Sequence, residues 1–280
     1  MAGVSSKEIK NRIKSMESTK QITKAMEMVA SSKLRRAQAQ VLNARPYFQT
    51  LHATILDIVS ANQDFSSPYL VARPVKKTAY VVIAGDRGLA GGYNNNILKR
   101  ALAEMEGKDV TVLPIGKKAV EFFQQKQLPL LSAHYTQAEE VSSSDCFSIA
   151  KLLCQAFLQG QFDEIRIGYT DYISALSQTP VTMQVLPLLP QKNTAVTSVA
   201  EILYEPDCQQ VFAAIIPEYV GGILYGAICE SRAAEQAARR TAMDAATSNA
   251  EDMIAELSLK YNRARQAAIT NEIIDIVAGS

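Results

Sequence analysis

The sequence predicts an α/β protein in which two long terminal helices flank a small α/β domain. Three observations predict it. Residues 6–61 contain no glycine and a single proline among strong helix formers, so one helix of about fifteen turns is the simplest reading. Residues after Pro206 return to helix formers almost to the end of the chain. Between these stretches, apolar strand patterns alternate with helical ones, the order that gives a mainly parallel sheet covered by helices. The expected division is an N-terminal helix over residues 1–61, an α/β domain over 75–195 and a C-terminal helix over 207–278.

In the first helix, Leu34, Ala37, Val41, Ala44, Phe48, Leu51, Ile55 and Ile58 follow alternating steps of three and four, the seam of a coiled coil. Ile9, Ile13 and Met16 keep the same register. Its next positions are Lys20, Thr23 and Glu27, whereas Ile22, Met26 and Val29 form a displaced apolar stripe. This predicts a shift of the seam between Lys20 and Glu27, as where a helix changes partner. Pro46 is expected to kink the helix without ending it, because the stripe continues beyond it.

Residues 62–74 are rich in turn formers and read as a linker. Residues 78–84 (TAYVVIA) read as a buried strand, followed by a glycine-rich turn and a helical pattern over 96–105. A strand over 110–115, helices over 117–125 and 144–160, and a strand over 164–169 continue the alternation, a Rossmann-like arrangement. Residues 181–189 are expected to form the last strand, bounded by Pro180 and Pro190.

In the C-terminal helix, eight of the twenty residues 231–250 are alanine, which allows close approach to a neighbouring helix. Ile254, Leu257, Tyr261, Ala264 and Ala268 then resume three-and-four spacing. Helices of roughly 55 and 70 residues would be about 80 and 105 Å long, far longer than a domain of this size needs. The apolar stretch 211–229 is interrupted by Pro217, Glu218, Gly221 and Gly222 and reads as helix buried against protein, not as a membrane span.

The net charge of +1 conceals an asymmetry. Residues 1–45 carry ten Lys/Arg against three Asp/Glu, and residues 201–280 carry six against twelve. Such complementary ends favour lying side by side. The basic runs over 7–14 and at Lys33, Arg35 and Arg36 lack interleaved aromatics, so a protein-facing track is favoured and no nucleic acid is expected. With no tryptophan and only His52 and His134, the chain is poor in acid–base groups, and no metal site is expected. Cys146, Cys154, Cys208 and Cys229 have no CxxC spacing and read as buried apolar positions. The segment MAGVSSKEIKNRIKSM lacks the apolar core of a signal peptide and offers no transit segment.

The turn Gly85-Asp86-Arg87-Gly88-Leu89-Ala90-Gly91-Gly92-Tyr93-Asn94 lies where a dinucleotide fold keeps its phosphate loop. Its glycine spacing matches neither G-x-G-x-x-G nor a P-loop, and a structural turn is favoured over a cofactor site. The rival reading keeps a nucleotide-binding α/β enzyme with helical dimerisation arms. The serines at 142–144 precede a helix and read as N-caps.

Three motifs carry a resemblance. Residues 22–30 (ITKAMEMVA), 88–94 (GLAGGYN) and the pair 235–249 (EQAARRTAMDAATSN) and 261–272 (YNRARQAAITNE) are together similar to the gamma subunit of F-type ATP synthases, bacterial type, along essentially the whole chain. The resemblance implies a non-catalytic central-stalk rotor. Its terminal helices would wind into a long antiparallel coiled coil inside a ring of alpha and beta subunits, and its α/β domain would meet the epsilon subunit and the membrane c-subunit ring. It implies that Met26, Lys33, Arg35 and Arg36 face the acidic lever of beta. Arg239, Arg265, Gln266, Thr270 and Glu272 would contact ring loops, with Ile273–Val277 in an apolar bearing. Tyr204 and Glu205 would belong to the foot on the membrane ring. No cofactor is implied, and the expected location is the cytoplasmic side of the plasma membrane, bound peripherally. No insertion resembling the redox-regulated segment of chloroplast members is present.

Overall fold

The computed structural model describes residues 6–61, 67–188, 205 and 207–279. Helix α1 spans Ser6–Ala61, followed by β1 (Lys77–Ile83), α2 (Tyr93–Met105), β2 (Asp109–Ile115), α3 (Lys117–Gln125), α4 (Ser143–Leu158), β3 (Glu164–Tyr172), β4 (Gln178–Leu186) and α5 (Cys208–Ala278). The chain forms two compact units, one of Met1–Ser32 with Arg239–Ser280 and one of Lys33–Ala238.

The larger unit is built on a four-stranded sheet in the order β2-β1-β3-β4. Strands β1, β2 and β3 are parallel, and β4 runs antiparallel to β3. Strand side chains alternate between faces. Tyr80, Val82 and Ala84 pack with Ile97, Leu98 and Ala101 of α2 and with Ala119 and Phe123 of α3. Ala79, Val81 and Ile83 face the opposite layer, where α4 contributes Ile149, Leu153 and Phe157 and α5 contributes Phe212, Ile216, Val220, Leu224 and Ile228. Buried on both faces, β1 is apolar from Ala79 to Ile83, as the middle of a central parallel strand must be.

By length and composition α5 could cross a membrane. Its most apolar stretch is instead packed under this sheet, in agreement with the expectation for residues 211–229. Ile55 of α1 joins the same layer.

The last strand differs from its expected bounds. It begins at Gln178 and contains Pro180 opposite Thr170. The missing proline N–H is tolerated because β4 is an edge strand with one side unpaired. Leu189 and Pro190 lie outside the described residues, as do Tyr204, Pro206 and the linker residues 62–66.

Helix α4 starts at a capping box. The Ser142 hydroxyl accepts from the Asp145 N–H at 3.2 Å, and the Asp145 carboxylate accepts from the Ser142 N–H at 2.8 Å. The Ser142 hydroxyl and backbone N–H hold the Asp145 carboxyl below its ordinary value. Replacing Ser142 with alanine is expected to cost about 1 kcal/mol at neutral pH. A depressed folded pKa stabilises above the unfolded value and is lost as pH falls through the folded one. Chemical denaturation should therefore show the deficit shrinking in acid, and a pH-independent deficit would count against the box.

The smaller unit is a helix pair. Lys20 Nζ meets Glu251 Oε1 at 2.8 Å, and the hydroxyls of Thr23 and Thr247 are 2.7 Å apart. As residue numbers rise in α1 they fall in α5, so the pairing is antiparallel. The expected seam shift does not occur. Ile9, Thr23 and Ala30 are buried, with Ile13, Met16, Lys20 and Glu27 partly so, in one unbroken three-and-four register. The displaced residues Ile22 and Val29 are 60% and 58% exposed.

Polar residues hold the seam because each finds a partner there. Thr23 reaches Thr247 and the Lys20 carbonyl, and Lys20 lays its stem along the seam while its charge meets Glu251. On α5 the matching seam is Met243, Thr247 and Ala250, all buried, then Ile254, Leu257, Tyr261 and Ala264, partly buried.

Candidate functional site

Residues 33–41 of α1 and 229–238 of α5 form the part of the helix pair that lies in the larger unit. Leu34, Ala37 and Val41 pack on Cys229, Ala233 and Ala237. The alanines set the close approach read from composition.

This segment grips the domain through a series of specific contacts. Ser231 Oγ accepts from the Thr170 N–H of β3 at 3.2 Å. Gln38 donates to the Tyr172 hydroxyl at 2.6 Å. Ala234 packs on Ala90 and Tyr93 of the glycine-rich turn.

The turn itself is shaped for that packing. The Gly85 N–H donates to Asn94 Oδ1 at 2.8 Å, and Asn94 Nδ2 donates to the Arg87 carbonyl at 3.1 Å. A Cβ on Gly85 would stand 2.9 Å from the carboxylate carbon of Glu235. Glu235 is buried. An anion-binding loop needs N–H groups converging on open space; here helix α5 covers the turn and places a carboxylate against it. The cavity beside it, lined by Gly92, Tyr93, Asn96, Thr170, Gln178, Pro180 and Ala238, holds about 100 Å³, whereas ligand pockets run from roughly 300 Å³ upwards. A larger open groove of about 620 Å³ lies near the C-terminal end of α2, with Lys99, Lys108 and Lys126 in its lining, away from the glycine turn.

The remaining chemistry is sparse. Burial pushes the thiols of Cys146 and Cys154 up to about 12 and raises that of Cys229, so all three are inert at neutral pH. They are free and buried; the Cys208 side chain is outside the described residues. Among the described residues no three or more His, Cys, Asp or Glu side chains are grouped to hold a metal.

The residues singled out as partner contacts fall as follows. Met26 is partly buried, and Arg35, Arg36, Glu205, Arg265, Gln266 and Thr270 are exposed. Thr270 donates its hydroxyl to the Gln266 carbonyl at 2.9 Å. Arg239 is partly buried. Glu272 lies in the last turns of α5, its side chain outside the described residues, and Tyr204 is outside them altogether. Lys33 is occupied within the chain, its Nζ 2.8 Å from Glu139 Oε1. Both groups are about half exposed, so the pair contributes little to stability.

In the smaller unit, the offset of the Lys20–Glu251 and Thr23–Thr247 pairs places Ser6 opposite the stretch of α5 near Arg265. Roughly a dozen residues of α5, about 20 Å at 1.5 Å per residue, extend past the start of α1. They carry exposed Ile269, Ile273, Ile274, Ile276 and Val277. Such a run of uncovered apolar side chains is the kind of patch that contacts with another protein bury.

Fold and site together define a mechanical component: an asymmetric helix pair and an α/β domain whose phosphate-loop position is taken up by that pair. Comparison with known proteins agrees. The ATP synthase family pattern matches residues 5–280. The ATP synthase gamma chain of Alkaliphilus metalliredigens (strain QYMF) is 44% identical over 284 residues, covering 99% of this chain and 98% of the relative. That of Brevibacillus brevis is 43% identical over 280 residues, covering 98% and 97%. In fold, the chain is similar to the Euglena gracilis mitochondrial ATP synthase in its OSCP/F1/c-ring structure, with TM-score 0.69, 20% identity and 98% and 93% coverage. It is also similar to the central stalk and c-ring structure of the Tetrahymena thermophila enzyme, with TM-score 0.60, 24% identity and 80% and 99% coverage. The chain belongs to the gamma-chain family of ATP synthases. It is a non-catalytic subunit of that membrane-associated complex.

Proposed function

We propose that the chain is the rotating central stalk that couples ion flow through a membrane ring to ATP synthesis and hydrolysis in a ring of alpha and beta subunits. The observation that carries this reading is the asymmetry of the helix pair. The two helices differ in charge, one seam carries the polar residues Lys20, Thr23 and Glu27, and one helix outruns the other. Three equivalent catalytic sites can be driven into different states only by a partner that lacks threefold symmetry and contacts each site differently.

In this reading residues 1–61 and 207–278 supply the shaft and residues 75–195 the domain that meets the epsilon subunit and the c-subunit ring. The apolar end at Ile273–Val277 turns in a bearing of the catalytic ring. Arg239, Arg265, Gln266, Thr270 and Glu272 meet ring loops, and Tyr204 and Glu205 belong to the foot. Met26, Lys33, Arg35 and Arg36 meet the acidic lever of beta, where cations hold and steer an acidic partner. The complex sits on the cytoplasmic face of the plasma membrane, with this chain bound peripherally.

The reading is tested by purification of the tagged chain from a detergent extract. The two large ATPase subunits should be recovered with it and identified by mass spectrometry; recovery of the chain alone overturns the proposal. Tight one-to-one binding of ATP to the isolated chain in a calorimetric titration would restore the enzyme reading. Met26→Lys adds a charge at a partly buried surface position without opening a cavity. It should leave assembly intact and lower ion pumping per ATP hydrolysed at least twofold, and an unchanged ratio refutes the contact role.

A further inference from the structure

The loop between α3 and α4 is held in an arrangement that secondary structure alone does not require. Ala138 and Glu139 each present both ends of their backbone to a charged side chain. Their N–H groups donate to Asp86, Ala138 to Oδ1 at 2.8 Å and Glu139 to Oδ2 at 3.3 Å. Asp86 Oδ1 also accepts from the Lys117 N–H at the start of α3, at 3.2 Å.

On the other side, the Arg232 guanidinium donates to the Ala138 carbonyl from Nε at 3.1 Å and from Nη2 at 2.6 Å. The same Nη2 donates to the carbonyls of Glu139 at 3.1 Å and Val141 at 2.8 Å. Two consecutive residues are thus held by their backbone between an anion and a cation, and every one of these hydrogen bonds has a charged partner. Ala138 and Val141 are buried in the core layer that also receives α5. The side chain of Glu139 completes the arrangement through Lys33 of α1.

The loop therefore ties together the glycine-rich turn through Asp86, helix α5 through Arg232 and helix α1 through Lys33. A guanidinium suits this task better than an ammonium, because its planar fork fixes direction as well as charge. Apolar packing of α5 beneath the sheet resists separation of the layers but is non-directional. Rotation of the helix pair relative to the sheet is opposed by directional contacts, and this cluster supplies them alongside Ser231 with Thr170 and Gln38 with Tyr172.

We propose that Asp86 and Arg232 are positioning residues that lock the α/β domain to the helix pair against twisting, so that the residue 138–141 loop is the torsional latch through which torque passes. This rests on the rotary reading given above. The expected consequence of opening the latch is a torsionally softer subunit. Arg232→Met removes the donors while keeping an unbranched apolar side chain, and Asp86→Asn keeps one acceptor oxygen but turns an N–H group towards the loop amides.

The test uses the assembled ATPase with its catalytic ring immobilised and a rotation probe on the α/β domain. Hydrogen exchange in the same complex should show faster exchange at the Ala138 and Glu139 amides in the variants, which reports that the latch has opened. The angular variance of the probe during catalytic dwells should then rise at least twofold, with the rate of ATP hydrolysis within twofold of the parent. Arg232→Lys, which keeps the charge, should fall between parent and Arg232→Met.

Faster exchange with unchanged variance overturns the latch, because a merely structural contact would soften the loop without softening the drive. Unchanged exchange overturns it as well. If Arg232→Met does not assemble, Asp86→Asn is read by the same two criteria. Failure of the parent complex to rotate the probe is a separate result and defeats the rotary reading itself.

Discussion

Gly116→Ala is expected to destabilise the chain by more than about 3 kcal/mol, a large effect for the addition of one methyl group. Gly116 joins β2 to α3 with φ of 95° and ψ of 146°, a region open essentially to glycine alone. Space is as restrictive as conformation. A Cβ there would lie 2.1 Å from the Ala84 carbonyl oxygen and 2.9 Å from its carbon. That carbonyl cannot retreat freely, since Ala84 is held by its own N–H bond to the Ile115 carbonyl at 2.9 Å. Relief requires the end of β1 to move, and with it the turn whose Gly85 lies against Glu235. Urea denaturation of the purified chain measures the effect. A loss below about 1 kcal/mol would mean that the strand end is softer than its hydrogen bonds imply.

Ala233→Leu is expected to cost about 3 kcal/mol and to impair coupling as well as stability. Ala233 is completely buried, packed among Leu34, Ala37, Val41, Cys229 and Ala237 where α1 and α5 touch. Three extra carbon atoms have no space there unless the helices separate. Separation would shift α1 and disturb Lys33 and Gln38, which reach the domain at Glu139 and Tyr172. The control is Ala245→Leu, at an exposed position of the same helix, where leucine is nearly as good a helix former as alanine and the change should stay within about 0.5 kcal/mol. Thermal melts of both variants, with ion pumping measured in the assembled complex, decide the matter. Equal stability of the two variants would show that the interface is looser than its burial indicates.

Much of the fold was legible. Uninterrupted helix formers over residues 6–61, the run TAYVVIA and the alternation of short elements each depend on local propensity or period, and each appears where expected. The antiparallel direction of β4 was legible in principle. Only residues 173–177 separate it from β3, and a parallel return needs a crossover of about a dozen residues or more. Pro180 obscured its start, because a proline is read as a boundary unless the strand is known to be at an edge.

The seam of α1 was misread for a different reason. At Lys20, Thr23 and Glu27 the heptad period is kept while the apolar character lapses. Hydrophobicity therefore pointed to Ile22, Met26 and Val29, of which Ile22 and Val29 face solvent. Thr23 occupies the seam because Thr247 stands opposite it, and a partner more than two hundred residues away leaves no local signal.

The same limit governed the site. In the sequence Arg232 is one charge in an alanine-rich helix, and Asp86 one residue of a glycine-rich turn. Their roles come from carbonyl and amide groups of residues 138–141, which any sequence would supply and no side-chain pattern reveals.

By itself the sequence determined the lengths of the terminal helices, the α/β alternation, the complementary charge of the two ends and, through its motifs, the family. These follow from local propensity, periodicity and composition, which act along the chain. Only the tertiary structure decided which face of α1 is the seam, that the glycine-rich turn is a packing surface covered by Glu235 and Ala234, and that Asp86 and Arg232 grip one loop from opposite sides. Those features depend on which distant groups meet, and a buried polar or charged group is stable only where such a partner is present.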